Sequence, residues 1–423
     1  MTGSHEMTAF WANARARAAA LDAADPLAAM RELFHLPEGL IYLDGNSLGP
    51  APKAAFAEVE AATRDEWAEG LIRSWNTERW FDLPVIYGDR LAPLIGADPG
   101  EVVVCDTVSV NIAKVLHAAL ALRPERCVIV TEGAGFHTDR YIAEGVAASR
   151  PGIRLALEGR DGSRIEDLIG ADTAVVLVNH VDYRTGAIRD LGALTAAAHD
   201  AGALVIWDLC HSVGAMPVDL NGAGADLAVG CTYKYLNGGP GAPAFLFCAG
   251  RHLPDISQPL SGWWGHAAPF AFEPGYRAAP GIRKFLCGTQ PILSMRALKP
   301  ALDIFEGLDM GQVRTKSMAL TSLFIELVEA TCAPLGITLA SPRQAGLRAS
   351  QVALGFSDAY PVMQALIAAG VIGDFRAPDI LRFGFAPLYI GFAETCRAAE
   401  TLHRILATGR WRDEQFQARH AVT

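Results

Sequence analysis

The chain has 423 residues, 51% hydrophobic and 19% charged, with 36 basic against 46 acidic side chains and a formal charge of −10. That length exceeds one small domain and allows a large buried core, while low charge with a mean hydropathy of +0.20 excludes a disordered ensemble. The acidic excess repels phosphate backbones and disfavours nucleic acid as a partner, yet it is compatible with a local pocket for a small anion.

In chain order, MTGSHE ahead of Met7 reads as an expression remnant, and residues 1–16 hold no apolar signal core. WANARARAAALDA and PLAAMRELFHL read as helices of an N-terminal arm, followed by the turn-rich DGNSLGPAPKA. Pro52 to Gly70 has helical periodicity with a mixed-charge face. From about residue 100 the pattern changes. EVVVCDT, RCVIVTE, IRLALE, TAVVLVNH, ALVIWD, DLAVGCT and APAFLFC alternate with helical stretches such as Asn111–Leu122 and Leu191–Ala201. Continuous apolar runs between helices predict a mainly parallel sheet covered on both faces. The uncharged stretch 235–250 is broken by Asn237, Gly238, Gly239, Pro240, Gly241 and Pro243. No run reaches the roughly 20 apolar residues of a membrane span, so no membrane partner is expected.

After about Pro291, helices over Leu293–Glu306 and Val313–Glu329 lead into the strand-like ITLAS, ASQVALGF and ILRFGF and a last helix over Ala393–Ala407. These read as a smaller α+β domain. The expected division is 1–60 as an arm and helices contributing to the small domain, 61–300 as the large domain, and 301–423 as the small one. The eight cysteines include no C-x-x-C pair and mostly lie in apolar runs. They predict buried reduced thiols rather than disulfides or a metal site, in a soluble cytoplasmic protein.

Open parallel sheets bind ligands at the carboxyl ends of their strands. That rule directs attention to 107–111, 136–139, 208–211 and 232–234. Lys234 follows a strand, between Tyr233 and Tyr235 and before a glycine-rich turn. A strand-end lysine is ordinarily a solvated cation; one enclosed among apolar groups has a lowered pKa and forms Schiff bases. Asp208, ending ALVIWD, serves equally well as a helix cap or as an acid beside a ligand. Together the two match what pyridoxal phosphate requires: a lysine to trap its aldehyde and an acid paired with its ring nitrogen. In DTVSVNIAK, Thr107, Val108 and Ser109 sit where a strand becomes a helix, which is either an ordinary cap or a phosphate site. Neither G-x-G-x-x-G nor a P-loop is present. Phe136 in TEGAGFHTD is either core or a stacking ring, and Asp139 either caps a helix or positions ring substituents.

IYLDGNSLGP, LIRSWN, WDLCHSVGAMPVDL, GCTYKYLNGGPG, LSGWWGH, FLCGTQPI and LRFGFAPLY occur in this order, from about Leu36 to the terminal FQARHAVT. Together they resemble the kynureninases. The resemblance implies a fold type I pyridoxal phosphate enzyme with a mainly parallel seven-stranded sheet sandwiched by helices. It also implies a homodimer with shared active sites, and hydrolysis of L-kynurenine to anthranilate and L-alanine in tryptophan degradation. On the matching motifs, Lys234 would carry the cofactor aldehyde and Asp208 would pair with the pyridine nitrogen, with His211 beside it. Phe136 would stack on the ring, Asp139 would lie near its hydroxyl, and Val108, Ser109 and Tyr233 would contact the phosphate. Trp263 and Thr289 would reach that phosphate from the neighbouring subunit. Arg382 would grip the substrate carboxylate, with Ser47, Trp75 and His266 in the substrate pocket. Thr289 with Trp75 favours unsubstituted kynurenine over the 3-hydroxy form. Tyr233 would relay a proton to Cβ. The rivals are an aminotransferase or a cysteine desulfurase on the same fold, Cys332 and Cys287 being the thiols to consider, and a pyridoxal phosphate-binding regulator without turnover.

Overall fold

Each of the seven apolar runs becomes a strand of one sheet in a computed structural model that describes residues 2–159 and 162–419. Met1 and the terminal HAVT of the last motif lie outside the described residues. The strands are β1 (Val102–Val104), β2 (Val128–Glu132), β3 (Arg154–Glu158), β4 (Thr173–Asn179), β5 (Leu204–Asp208), β6 (Leu227–Gly230) and β7 (Phe245–Cys248). Their spatial order is β1-β7-β6-β5-β4-β2-β3, and β7 alone runs antiparallel to its neighbours. Every residue of β1, β2, β4, β5, β6 and β7 is buried. Burial on both faces is why these strands read as unbroken apolar runs rather than alternating ones.

The chain divides into two units. The first holds Ala54–Tyr183 and Arg189–Leu308, including the seven-stranded sheet; the second gathers the residues up to Lys53, Arg184–Ile188 and those from Asp309 onward. In the first unit, helices α1 (Val108–Leu122), α2 (His137–Ser149) and α3 (Leu191–Asp200) follow strands. Thr107 caps α1 by accepting the Val110 N–H at 3.3 Å, and Asp190 caps α3 by accepting that of Ala193 at 2.9 Å. The helix predicted over Leu293–Glu306 is α4 (Ile292–Phe305), and it belongs to this unit. Its Arg296 pairs with Glu58 at 2.7 Å and Glu66 at 2.6 Å. The helix expected over 52–70 is α-helical at Ala54–Ala61 and widens into π-turns over Ala62–Gly70, where the buried Glu66 also accepts the Trp80 indole N–H.

The second unit contains α5 (Met310–Thr331), α6 (Phe392–Thr408) and the long first helix Thr2–Ala23. Its antiparallel sheet comprises β8 (Thr338–Leu339), β9 (Gln351–Gly355), β10 (Asp374–Arg376) and β11 (Ile380–Gly384), in the order β10-β11-β9-β8. Arg184–Ile188, unmarked in the sequence, joins this unit through backbone bonds from Ile188 N–H to Leu347 and from Ala349 N–H to Gly186. Among the described residues no helix is long and apolar enough to cross a membrane.

Away from the strands' carboxyl ends, Asp226 leads into β6 only 1% exposed. It accepts the Val205 N–H at 2.8 Å, pairs with Arg251 at 2.7 Å, and lies 2.8 Å from both His252 Nε2 and His199 Nε2. Burial alone would raise its pKa; the hydrogen bonds from His252, His199 and Val205 outweigh it and hold the group down at about 2. A folded pKa below the ordinary 3.8 gives stability that is full above about pH 4 and lost as pH falls towards 2, on the order of 2 kcal/mol. Asp226→Asn is therefore expected to lower Tm at pH 7 and to flatten its fall in acid. Parallel Tm profiles for the two proteins between about pH 4 and 2 would contradict this.

Candidate active site

A cavity of about 340 Å³ opens at the carboxyl ends of the parallel strands. All four segments selected by the strand-end rule line it: Thr107, Val108 and Ser109 after β1; Phe136, Thr138 and Asp139 after β2; Asp208, Cys210 and His211 after β5; Tyr233 and Lys234 after β6. Asn179, the last residue of β4, joins them.

Neighbouring parallel strands β5 and β6 put Asp208 opposite Val229, so the two chain ends leave the sheet side by side. Lys234 is only 9% exposed, its Nζ 2.9 Å from His211 Nε2 and near the rings of Phe136 at 5.7 Å and Tyr233 at 5.9 Å. Asp208 is buried and accepts the Cys210 N–H through Oδ1 at 2.6 Å. Asp139, in the first turn of α2, accepts the Asn179 side-chain N–H at 3.0 Å. The same Asn179 amide donates to Glu132 at 2.9 Å, and Arg189 bridges Glu132 and Glu158 at 3.0 Å each.

Burial, then the adjacent Asp208 carboxylate, pushes the Asp139 acid well above the usual carboxylate range. Burial raises Glu132 to about 7 despite Arg189. The Tyr233 phenol is also pushed up, by burial first and then by Cys231, Cys210 and Asp208. Asp139 Oδ1 is buried with no hydrogen-bond partner among the described residues. A buried orphan carboxyl oxygen lining a cavity calls for a ligand partner. With an enclosed amine, two carboxyls, a flanking Phe136 ring and the first-turn N–H groups of α1, the donor set fits a flat phosphorylated aldehyde with a ring nitrogen and hydroxyl.

The remaining sequence-predicted residues do not line this cavity. Trp263 is 39% exposed and Thr289 is exposed. Trp75 packs in an aromatic cluster with Trp80, Trp263 and Trp264. The His266 ring accepts the Ala268 N–H at 3.0 Å and lies 3.3 Å from the Gly275 carbonyl. Arg382 and Ser47 meet in the second unit. Arg382 sits on β11, 1% exposed, directly across from Asp374 on β10. Its Nε donates to Asp374 Oδ1 at 2.8 Å, and its Nη2 donates to Asp374 Oδ2 and to Ser47 Oγ at 3.0 Å. Asp374, absent from the sequence reading, supplies the countercharge that a buried guanidinium demands. Asn179 was also missed, although the strand-end rule applied to TAVVLVNH points at it.

All eight cysteines are free, and six are buried. Cys332 is fully buried at the end of α5, and burial raises its thiol to about 11. Cys287 is half-buried, 3.7 Å from Asp106 Oδ1. Neither is the exposed, mobile nucleophile that desulfuration needs. No group of three or more His, Cys, Asp or Glu among the described residues is arranged to hold a metal.

A family model described as the kynureninase C-terminal domain matches residues 313–402. The kynureninase of Burkholderia pseudomallei (strain 1106a) is 53% identical over 416 residues, covering 97% of this chain and 99% of the relative. That of Pseudomonas fluorescens is 53% identical over 409 residues, covering 96% and 98%. Among solved structures, a cysteine desulfurase from Thermococcus onnurineus NA1 superposes with a TM-score of 0.73 at 20% identity, over 90% of this chain and 98% of that one. A C-DES mutant with glycine covalently linked to the PLP cofactor gives 0.75 at 17% identity, over 88% and 98%. These structural likenesses establish the fold, fold type I, and nothing finer. Identity above half, sustained over nearly the whole of both chains, establishes descent: the chain belongs to the kynureninase family.

Proposed function

We propose that the protein uses pyridoxal 5′-phosphate to hydrolyse the Cβ–Cγ bond of L-kynurenine, releasing anthranilate and L-alanine. The observation that carries this reading is the convergence of Lys234, Asp208 and Asp139 on one cavity beside the N-terminus of α1, in a chain of this family. When bound, the cofactor supplies an electron sink for charge developing at the substrate's Cα and Cβ.

The chain's own side chains do the rest. Lys234 Nζ would hold the aldehyde, and its amine, with His211 Nε2 at 2.9 Å orienting it, would take the Cα proton and return it before alanine leaves. Asp208 holds the proton on the ring nitrogen. Asp139, kept towards its acid form by burial and by Asp208, donates to the ring hydroxyl. Phe136 covers the ring face. Val108, Ser109 and Tyr233 hold the phosphate. Arg382 grips the substrate carboxylate with its planar fork, already oriented by Asp374 and Ser47. Water adds to the γ-carbonyl, and collapse of the hydrate expels anthranilate. Tyr233, whose raised pKa keeps its phenol protonated, returns a proton to Cβ.

A homodimer completes the site, with Trp263 and Thr289 reaching the partner's phosphate. Support comes from their exposure within one chain, and from that of Phe270 and Phe272 near Trp263 in sequence. Trp75, His266 and Ser47 belong to the substrate pocket, and Trp75 with Thr289 favours kynurenine over its 3-hydroxy form. We assign the enzyme to tryptophan degradation in the cytoplasm.

Incubation with L-kynurenine is expected to give falling substrate absorbance and rising anthranilate fluorescence, without any keto acid. A keto-acid requirement would point to transamination instead. Lys234→Ala should lose both the visible band of lysine-bound cofactor and turnover; retained turnover sinks the lysine assignment. Tyr233→Phe should still bind cofactor but release alanine about 10²–10⁴-fold more slowly, and unchanged pre-steady-state rates would remove the tyrosine from the proton relay.

A further inference from the structure

Asp106, between β1 and the Thr107 cap of α1, has φ of 49°, a left-handed conformation uncommon outside glycine. Such a backbone persists only where its surroundings over-determine it. Here every polar group of the residue is engaged. Its N–H donates to Gln290 Oε1 at 2.9 Å, and its carbonyl accepts the Ala244 N–H at 2.9 Å. Its Oδ2 accepts from Lys114, two turns along α1, whose side chain is 0% exposed. Lys114 Nζ also donates to the Phe285 carbonyl at 2.6 Å. Gln290 is buried, and its amide donates to Gly288 at 3.1 Å. The segment 285–290 thus clamps Asp106 from its backbone and, through Lys114, from its carboxylate.

We propose that Lys114, Asp106 and Gln290 are positioning residues for the phosphate end of the site, a role that rests on the cofactor reading above. They hold the left-handed turn that aims the first-turn N–H groups of α1 and the Ser109 hydroxyl at the cavity. Lys114 has a second effect. An uncompensated Asp106 carboxylate one residue ahead of the helix cap would repel a phosphate, and the buried ammonium cancels that charge. The clamp also spans the FLCGTQP segment that carries Thr289. In the proposed dimer, one subunit's own phosphate turn and its contribution to the partner's phosphate are therefore fixed by the same three side chains.

The test compares pyridoxal 5′-phosphate with pyridoxal, which lacks only the phosphate, by absorbance titration of cofactor-free wild type, Lys114→Met and Gln290→Met. In both variants the dissociation constant for pyridoxal 5′-phosphate should rise about tenfold or more, while that for pyridoxal changes less than about twofold. Gln290→Met retains the buried ion pair and keeps the test available if Lys114→Met fails to fold. General loosening would weaken both ligands alike, and an unchanged ratio of the two constants in folded Gln290→Met overturns the proposal. Wild type that binds pyridoxal 5′-phosphate without a selective shift in the variants removes this inference alone. Wild type that does not bind it removes the cofactor reading as well.

Discussion

A buried lysine and a buried aspartate kept close together without neutralising each other are the constraint on which the site depends. An ion pair between Lys234 and Asp208 would consume both groups. The chain instead gives each its own partner: His211 Nε2 lies against the ammonium, and the Cys210 N–H binds the aspartate. Both partners come from the turn directly after β5, so one short segment separates the charges while the parallel pairing of β5 and β6 keeps them neighbours. A hairpin between the two strands would send their ends to opposite edges; only a crossover connection brings both carboxyl ends to the same side. The parallel sheet is thus a requirement of the chemistry as well as a way to bury apolar residues.

Several other buried charges follow a related rule, each set against a group of opposite charge. Arg382 faces Asp374 across a strand pair, Lys114 faces Asp106, and Arg189 joins Glu132 to Glu158. Breaking a buried pair costs about 3–5 kcal/mol because the survivor stays buried, whereas exposed pairs such as Arg64 with Glu60 contribute little. Asp139 differs from these. It faces Asp208 and Glu132, accepts from the Asn179 amide, and keeps Oδ1 without a hydrogen-bond partner among the described residues. Such a residue is unfavourable for an empty cavity and suited to one completed by a ligand.

The strands of the large sheet were legible because burial on both faces leaves no polar interruption, and each run in sequence is one strand in space. The strand-end rule then located the four cavity segments, since in a parallel sheet the site follows from where strands stop. The cues failed where local sequence and final environment disagree. Asp374–Arg376 carries two charges in three residues and has no apolar run to mark it; it pairs as a strand with β11, Asp374 opposite Arg382. Arg184–Ile188 lies between two segments of the sheet unit yet joins the second unit through backbone bonds that leave no side-chain pattern. Lys114 has the spacing of an ordinary helical residue, and nothing nearby in sequence shows that Asp106 and Phe285 enclose it.

The structural likeness to cysteine desulfurases at about 20% identity shows how little of the reaction resides in the fold. A lysine, an acid and a phosphate-binding helix end serve any chemistry that stores electrons in a pyridine ring. What separates the reactions is the group that meets the atom beyond Cβ. Desulfuration requires a thiol that can approach sulfur, and Cys332 is sealed in a helix end with its ionisation opposed by burial. Hydrolytic carbon–carbon cleavage requires water at a carbonyl and a proton for the carbon left behind. In the proposed reaction the half-buried Tyr233, adjacent to the lysine and with its phenol held protonated, would meet the second requirement.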